Sequence, residues 1–80
     1  MNVETEVSLY PLTEINLEHP VHDFVRILNT HGCTVEVGPM SSIVKGESTR
    51  VFEALRIGYE EAAKKSGCLL LVKACNVCPL

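Results

Sequence analysis

Hydroxyl-bearing side chains are the residues of this sequence best suited to bind a small polar molecule. They are Ser8 and Tyr10 near the start of the chain and the adjacent pair Ser41 and Ser42 near its middle. A hydroxyl group both donates and accepts hydrogen bonds, and the tyrosine ring adds an aromatic face that stacks on a heteroaromatic ring or a cation. This set favours a small polar aromatic ligand. The simpler interpretation, ordinary strand and turn polar residues, is left open by the sequence.

Two carboxylates, Glu6 and Glu36, lie in polar positions of two segments that alternate between polar and apolar residues. Such side chains point away from the core of a half-buried sheet. The commoner role of carboxylates in these positions is solubility. The functional alternative is a counter-charge for a bound cation, since a buried or half-buried cation requires a partner of opposite sign.

Histidine and cysteine pairs offer the sequence's only spacings with metal or redox chemistry. His19-x-x-His22 has a helical spacing that could share a metal ion, but no further ligands accompany it, so surface histidines are the preferred interpretation. Cys75-x-x-Cys78 could be a redox pair or half of a metal site. It follows a predicted strand rather than opening a helix, so this stays a minor alternative. We expect no metal and no cofactor.

Catalytic motifs are absent from the sequence. It contains no Gly-x-Ser-x-Gly, no glycine-rich phosphate loop and no His-Glu-x-x-His. An enzyme of the acylphosphatase type needs an Arg-bearing phosphate loop after the first strand, whereas residues 11–17 contain neither Arg nor Gly. We therefore expect a protein that is not an enzyme.

Net charge and hydropathy argue against two further classes of partner, nucleic acids and membranes. The net charge of −3 argues against a nucleic-acid partner, because binding to phosphates needs clustered Lys and Arg. No run approaches the ~18 apolar residues of a membrane span. The N-terminal residues lack the basic and apolar regions of a secretory signal. The expected location is cytoplasmic, where the four cysteines stay reduced.

The order of predicted elements positions these side chains. Alternation over residues 3–12, ended by Pro11, predicts the first strand. Val21, Phe24, Val25 and Leu28 recur at helical spacing and predict the first helix, with Asn16 as its cap and Gly32 as its stop. Two strands over residues 33–37 and 41–45, a helix from Ser48 to just before Gly67, and a strand over residues 68–74 follow.

The resulting βαββαβ order predicts one domain over residues 1–80 with a ferredoxin-like α+β fold: a four-stranded antiparallel sheet with both helices on one face. The uncovered face is expected to carry Glu6, Ser8, Tyr10, Thr34, Glu36, Met40, Val44, Leu69, Leu71 and Lys73. The run Leu69-Leu70-Leu71-Val72 is apolar on both faces and needs cover on both. A chain of 80 residues buries a small core, so we expect a homo-oligomer through this face.

Four segments carry a resemblance to a known family. They are Val7-Ser8-Leu9-Tyr10-Pro11-Leu12, the turn-rich stretch from Gly38 to Glu47, Val51-Phe52-Glu53-Ala54, and Cys75-Asn76-Val77-Cys78-Pro79. Over nearly its whole length the chain resembles the thiamin- and hydroxymethylpyrimidine-binding, YkoF-like family. The resemblance implies a ferredoxin-like fold, assembly through sheet faces, no catalytic chemistry, and a link to uptake or salvage of the vitamin. Because the chain carries the unit once, it also implies a homodimer or homotetramer.

The implied ligand is thiamin or its hydroxymethylpyrimidine half. For such a ligand the resemblance implies that Tyr10 and Met40 form an apolar slot. Ser8, Ser41 and Ser42 would then bind the pyrimidine, and Glu6 or Glu36 would balance the thiazolium charge. The main alternative is an interaction protein whose open sheet packs on a partner and binds no small molecule.

Overall fold

The fold follows the predicted order of strands and helices. The computed structural model describes residues 1–12 and 18–77, apart from the side chains of Glu18 and His19. Its elements are β1 (Asn2–Pro11), α1 (Glu18–Thr30), β2 (Thr34–Val37), β3 (Ser42–Glu47), α2 (Ser48–Lys65) and β4 (Cys68–Cys75). The sheet has the order β2-β3-β1-β4, and neighbouring strands are antiparallel. The ferredoxin-like α+β fold predicted from the sequence is confirmed.

Strand β3 passes directly into helix α2. It begins and ends later than predicted, at Ser42 and Glu47 rather than Ser41 and Lys45. The carboxylate of Glu47 accepts a hydrogen bond from the backbone N–H of Thr49 at 2.9 Å and so caps the helix. The last residue of β3 is therefore also the N-cap of α2, and no loop separates the two elements. The cap predicted for α1, Asn16, lies outside the described residues.

The end of α1 lies where the sequence predicts it. Gly32 has a φ of +83°, a left-handed conformation that glycine adopts without strain. The turn directs the chain back so that the N–H of Cys33 donates to the carbonyl of Leu28 at 3.2 Å. Strand β2 then begins one residue later than expected, at Thr34.

The core lies between the sheet and the two helices. Its buried apolar residues are Val3, Val7, Phe24, Leu28, Cys33, Val44, Val51, Ala54 and Leu55. The prediction that Val44 lies on the uncovered face is wrong. Val44 pairs with Thr5 on the helix side. The register of β3 against β1 places Ser42 on that side, and Val44 lies on the same side because residues two apart in a strand share a face. The hydroxyl of Thr5 is buried there and donates to the carbonyl of Val44 at 3.0 Å.

The two helices pack closely where Gly58 of α2 meets Phe24 of α1. A Cβ atom added at Gly58 would lie 2.8 Å from the ring atoms Cδ1 and Cε1 of Phe24. Phe24 is itself buried in the core, so its ring has little room to move. The absence of a side chain at this position therefore sets the distance between the helices.

We predict that Gly58→Ala destabilises the protein. Overpacking costs about 1–3 kcal/mol and outweighs the gain of about 1 kcal/mol from a better helix former. The melting temperature should fall by several degrees, since about 1 kcal/mol corresponds to roughly 4–8 °C in a domain of this size. Gly67→Ala is the matched control, because nothing lies within 4 Å of a Cβ added there. A melting temperature for Gly58→Ala equal to or above that of Gly67→Ala would contradict the packing argument.

Candidate functional site

The candidate site is the sheet surface that faces away from both helices, called here the open face. Along β1 the core residues Val3, Thr5 and Val7 alternate with Glu4, Glu6, Ser8 and Tyr10, so the latter four point to the open face. Their partners on the same face are Lys45 and Ile43 of β3, and Cys75, Lys73, Leu71 and Leu69 of β4. Thr34 and Glu36 of β2 pair with Lys45 and Ile43 and complete this surface.

Glu6 is held by two side chains. Its Oε1 lies 3.2 Å from Nζ of Lys73, its cross-strand partner on β4. The hydroxyl of Ser41, which lies one residue before β3, donates to Glu6 Oε2 at 3.1 Å. The hydrogen bond from Lys73 and then that from Ser41 lower the pKa of Glu6 below its ordinary value. The carboxylate therefore stays ionised into more acidic solution than an unpaired glutamate would.

A second group of charges lies beside the first. Nζ of Lys45 is 3.2 Å from Oε1 of Glu4 and 3.9 Å from Oε1 of Glu36, and the hydrogen bond to Glu4 is the largest cause of a raised Lys45 pKa. Among the described residues, the three carboxylates Glu4, Glu6 and Glu36 thus share this end of the face with two ammonium groups, Lys45 and Lys73. Such an excess of negative charge favours a cationic ligand.

The other end of the open face is apolar. Tyr10 pairs with Leu69 and Ser8 pairs with Leu71. The side chains of Tyr10, Leu69 and Leu71 remain 47%, 44% and 55% exposed. Ser8 lies between the carboxylate of Glu6 and the ring of Tyr10, each about 7 Å along the same strand. One strand therefore presents a charge, a hydroxyl and an aromatic ring in line.

Three of the predicted site residues lie apart from this line. Ser42 pairs with Val7 and Val37 on the helix side, so it and Ser41 point to opposite faces. Met40 lies in the bend before β3 and is 87% exposed. Glu36 shares the open face with Glu6 but is two strands away, roughly 10 Å.

The sequence did not predict the contact between Lys73 and Glu6. Alternation places Lys73 on the open face, but its pairing with Glu6 depends on the register of β4 against β1, which alternation does not give.

The open face is shallow beside Glu6. A depression of about 230 Å³ lies next to Glu6, Ile43 and Lys73. A cleft between the helices, lined by Pro20, Phe24 and other residues, holds only about 60 Å³. Pockets for small molecules usually span roughly 300–1,000 Å³. A ligand on the open face would therefore need a second wall.

The described residues contain neither a cluster of metal-binding side chains nor a helix that could span a membrane. No three His, Cys, Asp or Glu side chains within residues 1–12 and 18–77 lie close enough together to hold a metal ion. Two partners considered for such sites, the side chain of His19 and the whole of Cys78, lie outside the described part. None of the helices described has the length and apolar character needed to span a membrane.

Solved structures with the same fold come from bacteria and an archaeon. A hypothetical protein from Methanocaldococcus jannascii superposes with a TM-score of 0.87 at 17% identity, over 94% of this chain and 79% of its own. A Streptococcus pneumoniae protein gives 0.83 at 21% identity, over 94% and 86%. A Thermotoga maritima protein, whose proposed role is thiamine biosynthesis or salvage, gives 0.81 at 17% identity, over 92% and 82%. At these identities the likeness establishes the fold alone.

Family membership comes from the sequence itself. No curated protein matches the chain significantly. The family model described as "Thiamine-binding protein" matches residues 5–73, which include all four strands and both helices in whole or in large part. The resemblance noted in the sequence is confirmed, and the chain belongs to the thiamine-binding protein family.

Proposed function

We propose that the protein binds thiamin or its hydroxymethylpyrimidine half on the open face, without catalysis, in uptake or salvage of the vitamin. The observation that carries this proposal is the line of Glu6, Ser8 and Tyr10 along β1, an ionised carboxylate, a hydroxyl and an exposed aromatic ring on one surface. Family membership supports a thiamine-related role in general. The ligand-binding geometry is our inference.

Thiamin joins an aminopyrimidine to a thiazolium that carries a permanent positive charge. In the proposed mode the ring of Tyr10 stacks on the pyrimidine, and the hydroxyls of Ser8 and Ser41 bind its polar edge. Glu6 balances the thiazolium. Although each oxygen of Glu6 already accepts one bond, a carboxylate has about four acceptor positions, so the pairing with Lys73 and Ser41 orients it without saturating it. Glu36, Met40 and Ser42 lie outside this line of residues. The contacts predicted between these three side chains and the ligand stay predictions.

We predict that Glu6→Gln weakens binding of thiamin roughly tenfold or more and leaves hydroxymethylpyrimidine nearly unchanged, because only thiamin carries the fixed cation. Isothermal titration calorimetry with each ligand measures both affinities. The pH dependence follows from the lowered pKa of Glu6. Glu6 is ionised above that pKa, so thiamin affinity should hold at neutral and mildly acidic pH and fall only as pH drops through the lowered value.

Glu61→Gln is the matched control for this experiment. Glu61 is an exposed carboxylate on α2 whose pKa is also lowered by a lysine, Lys64, but it lies away from the open face. The control should bind both ligands like the wild type. An equal loss of affinity for the two ligands in Glu6→Gln would show that Glu6 is not the counter-charge of the thiazolium. No binding of either ligand by the wild type at millimolar concentration would end the proposal.

The tyrosine prediction uses the protein's own fluorescence. The chain contains no Trp and two Tyr residues, Tyr10 and Tyr59. In Tyr59→Phe only Tyr10 emits, and its fluorescence, corrected for ligand absorption, should be quenched as the pyrimidine stacks on it. In Tyr10→Phe only Tyr59, on α2, emits, and its fluorescence should not change. Replacing the ring with Tyr10→Leu should weaken both ligands roughly tenfold. Quenching of Tyr59 alone would place the ligand elsewhere.

A second candidate function is interaction through the open face, by packing of this face on that of another subunit. The observation that favours it is the apolar end of the face, where Tyr10, Leu69 and Leu71 are all exposed next to one another. Patches of this kind mark interaction sites. We infer a homodimer or homotetramer in which this packing supplies the second wall that a ligand needs.

We predict that Leu69→Glu breaks the packing of open faces, because it would bury an unpaired charge between subunits. Sedimentation velocity at micromolar concentration should show a smaller species than the wild type. Phe52→Glu is the control, since Phe52 is as exposed as Leu69 but lies on α2. A wild type that already sediments as an 8.8 kDa monomer, or a Leu69→Glu variant of unchanged size, would count against assembly through this face.

A further inference from the structure

The positive charges of the protein are distributed unevenly between its helices and its sheet. Five of the seven Lys and Arg side chains lie on the helices: Arg26, Arg50, Arg56, Lys64 and Lys65. The other two, Lys45 and Lys73, lie on the open face. Arginine is the side chain best suited to phosphate, because its planar guanidinium donates two parallel hydrogen bonds to phosphate oxygens. Every arginine of the chain is therefore on a helix, away from the candidate site.

Both lysines of the open face already have carboxylate partners. Nζ of Lys73 lies 3.2 Å from Oε1 of Glu6. Nζ of Lys45 lies 3.2 Å from Oε1 of Glu4 and 3.9 Å from Oε1 of Glu36. The last three residues, called here the Lys45 group, combine two carboxylates with one ammonium and so keep one negative charge in excess. A phosphate that approached Lys45 would have to displace a carboxylate or lie beside one.

The proposed binding mode determines which part of thiamin lies near the Lys45 group. With the pyrimidine on Tyr10 and the thiazolium beside Glu6, the bridge between the two rings runs along β1. The hydroxyethyl arm of thiamin leaves the far side of the thiazolium. It therefore continues toward Glu4, the next residue of β1 on the open face, about 7 Å beyond Glu6. The hydroxyl at the end of this arm is the group that carries the phosphate in thiamin monophosphate.

We propose that the open face binds free thiamin and discriminates against its phosphate esters, with Glu4 and Glu36 as the specificity-determining residues. This inference rests on the function proposed above and adds the phosphorylation state of the ligand. A phosphate monoester carries a charge of about −1.5 to −2 at neutral pH. At about 6 Å from one excess negative charge, such a group weakens binding roughly tenfold even where the medium is as polar as water. The uncharged hydroxyl of thiamin avoids this repulsion.

The proposed specificity places the protein in a reaction sequence. Thiamin becomes its monophosphate when a kinase transfers a phosphoryl group from a nucleoside triphosphate to the hydroxyethyl oxygen. The hydroxyl loses its proton, and a nucleoside diphosphate leaves. Free thiamin is the substrate of this class of reaction, and its product carries the group that the Lys45 group repels. A protein with this specificity binds the vitamin before phosphoryl transfer and releases it afterwards.

Isothermal titration calorimetry with thiamin, thiamin monophosphate and hydroxymethylpyrimidine tests the proposal. The wild type should bind the monophosphate roughly tenfold more weakly than thiamin. In the double variant Glu4→Gln, Glu36→Gln, Lys45 loses both carboxylate partners, and the group changes from one net negative to one net positive charge. The ratio of the two dissociation constants should then fall to about one or below. The neutral hydroxymethylpyrimidine should bind this variant like the wild type, which verifies that the rest of the site is intact.

Three further variants separate the Lys45 group from other effects. The double variant Glu60→Gln, Glu61→Gln removes the same number of charges from α2 and should keep the wild-type ratio. Glu6→Gln should weaken thiamin and its monophosphate by similar factors, because both carry the thiazolium. Glu36→Gln alone changes a side chain that is 67% exposed, so it leaves the packing undisturbed and should lower the ratio part of the way.

A ratio that falls in the variants of the Lys45 group and stays unchanged in the α2 control supports the proposal. Equal binding of thiamin and its monophosphate by the wild type, or an equal fall of the ratio in the α2 control, overturns it and leaves thiamin binding itself in place. No binding of thiamin by the wild type overturns both. Salt provides an independent measurement. At an ionic strength of about 1 M the screening length is about 3 Å, so the difference between the two ligands should disappear. A ratio that does not depend on salt also overturns the proposal.

Discussion

The register of β1 against its two neighbours is the constraint on which the rest of the structure depends. Val3, Thr5 and Val7 place one side of this strand in the core, and Glu6, Ser8 and Tyr10 form the candidate site on the other. A shift of one residue would exchange the two sets, because successive strand residues point to opposite faces. The core and the candidate site are therefore specified by the same backbone pairing. The buried hydrogen bond from Thr5 to the carbonyl of Val44 fixes that pairing on the β3 side.

The same register explains which parts of the molecule the sequence could predict. The fold follows from local patterns: alternation in β1, helical spacing in α1 and α2, and Gly32 at the end of α1. These signals lie within single segments, so they can be read without knowing what each segment contacts. The order βαββαβ then leaves few topologies to choose from.

The candidate site depends on alignment between segments, and there the sequence was less informative. Ser41 and Ser42 are neighbours in sequence, yet only Ser41 reaches Glu6, because the register of β3 against β1 pairs Ser42 with Val7 on the helix side. Val44 is buried for the same reason. Lys73 contacts Glu6 through a pairing between strands separated by most of the chain. No local pattern in either segment encodes that alignment.

The openness of the sheet face connects ligand binding with assembly. A small molecule on a single sheet surface buries one side, whereas bound ligands usually lose 70–90% of their exposed surface. The depression beside Glu6 holds only about 230 Å³. In the proposed binding mode this chain would supply one wall and the charge, and a second subunit would supply the other wall. A ligand held between two subunits binds the assembled form better than the separate chains, so it stabilises the assembly by mass action, and assembly strengthens ligand binding by the same factor. For a chain of 80 residues with a small core, affinity and subunit association would then be two measurements of one coupled equilibrium.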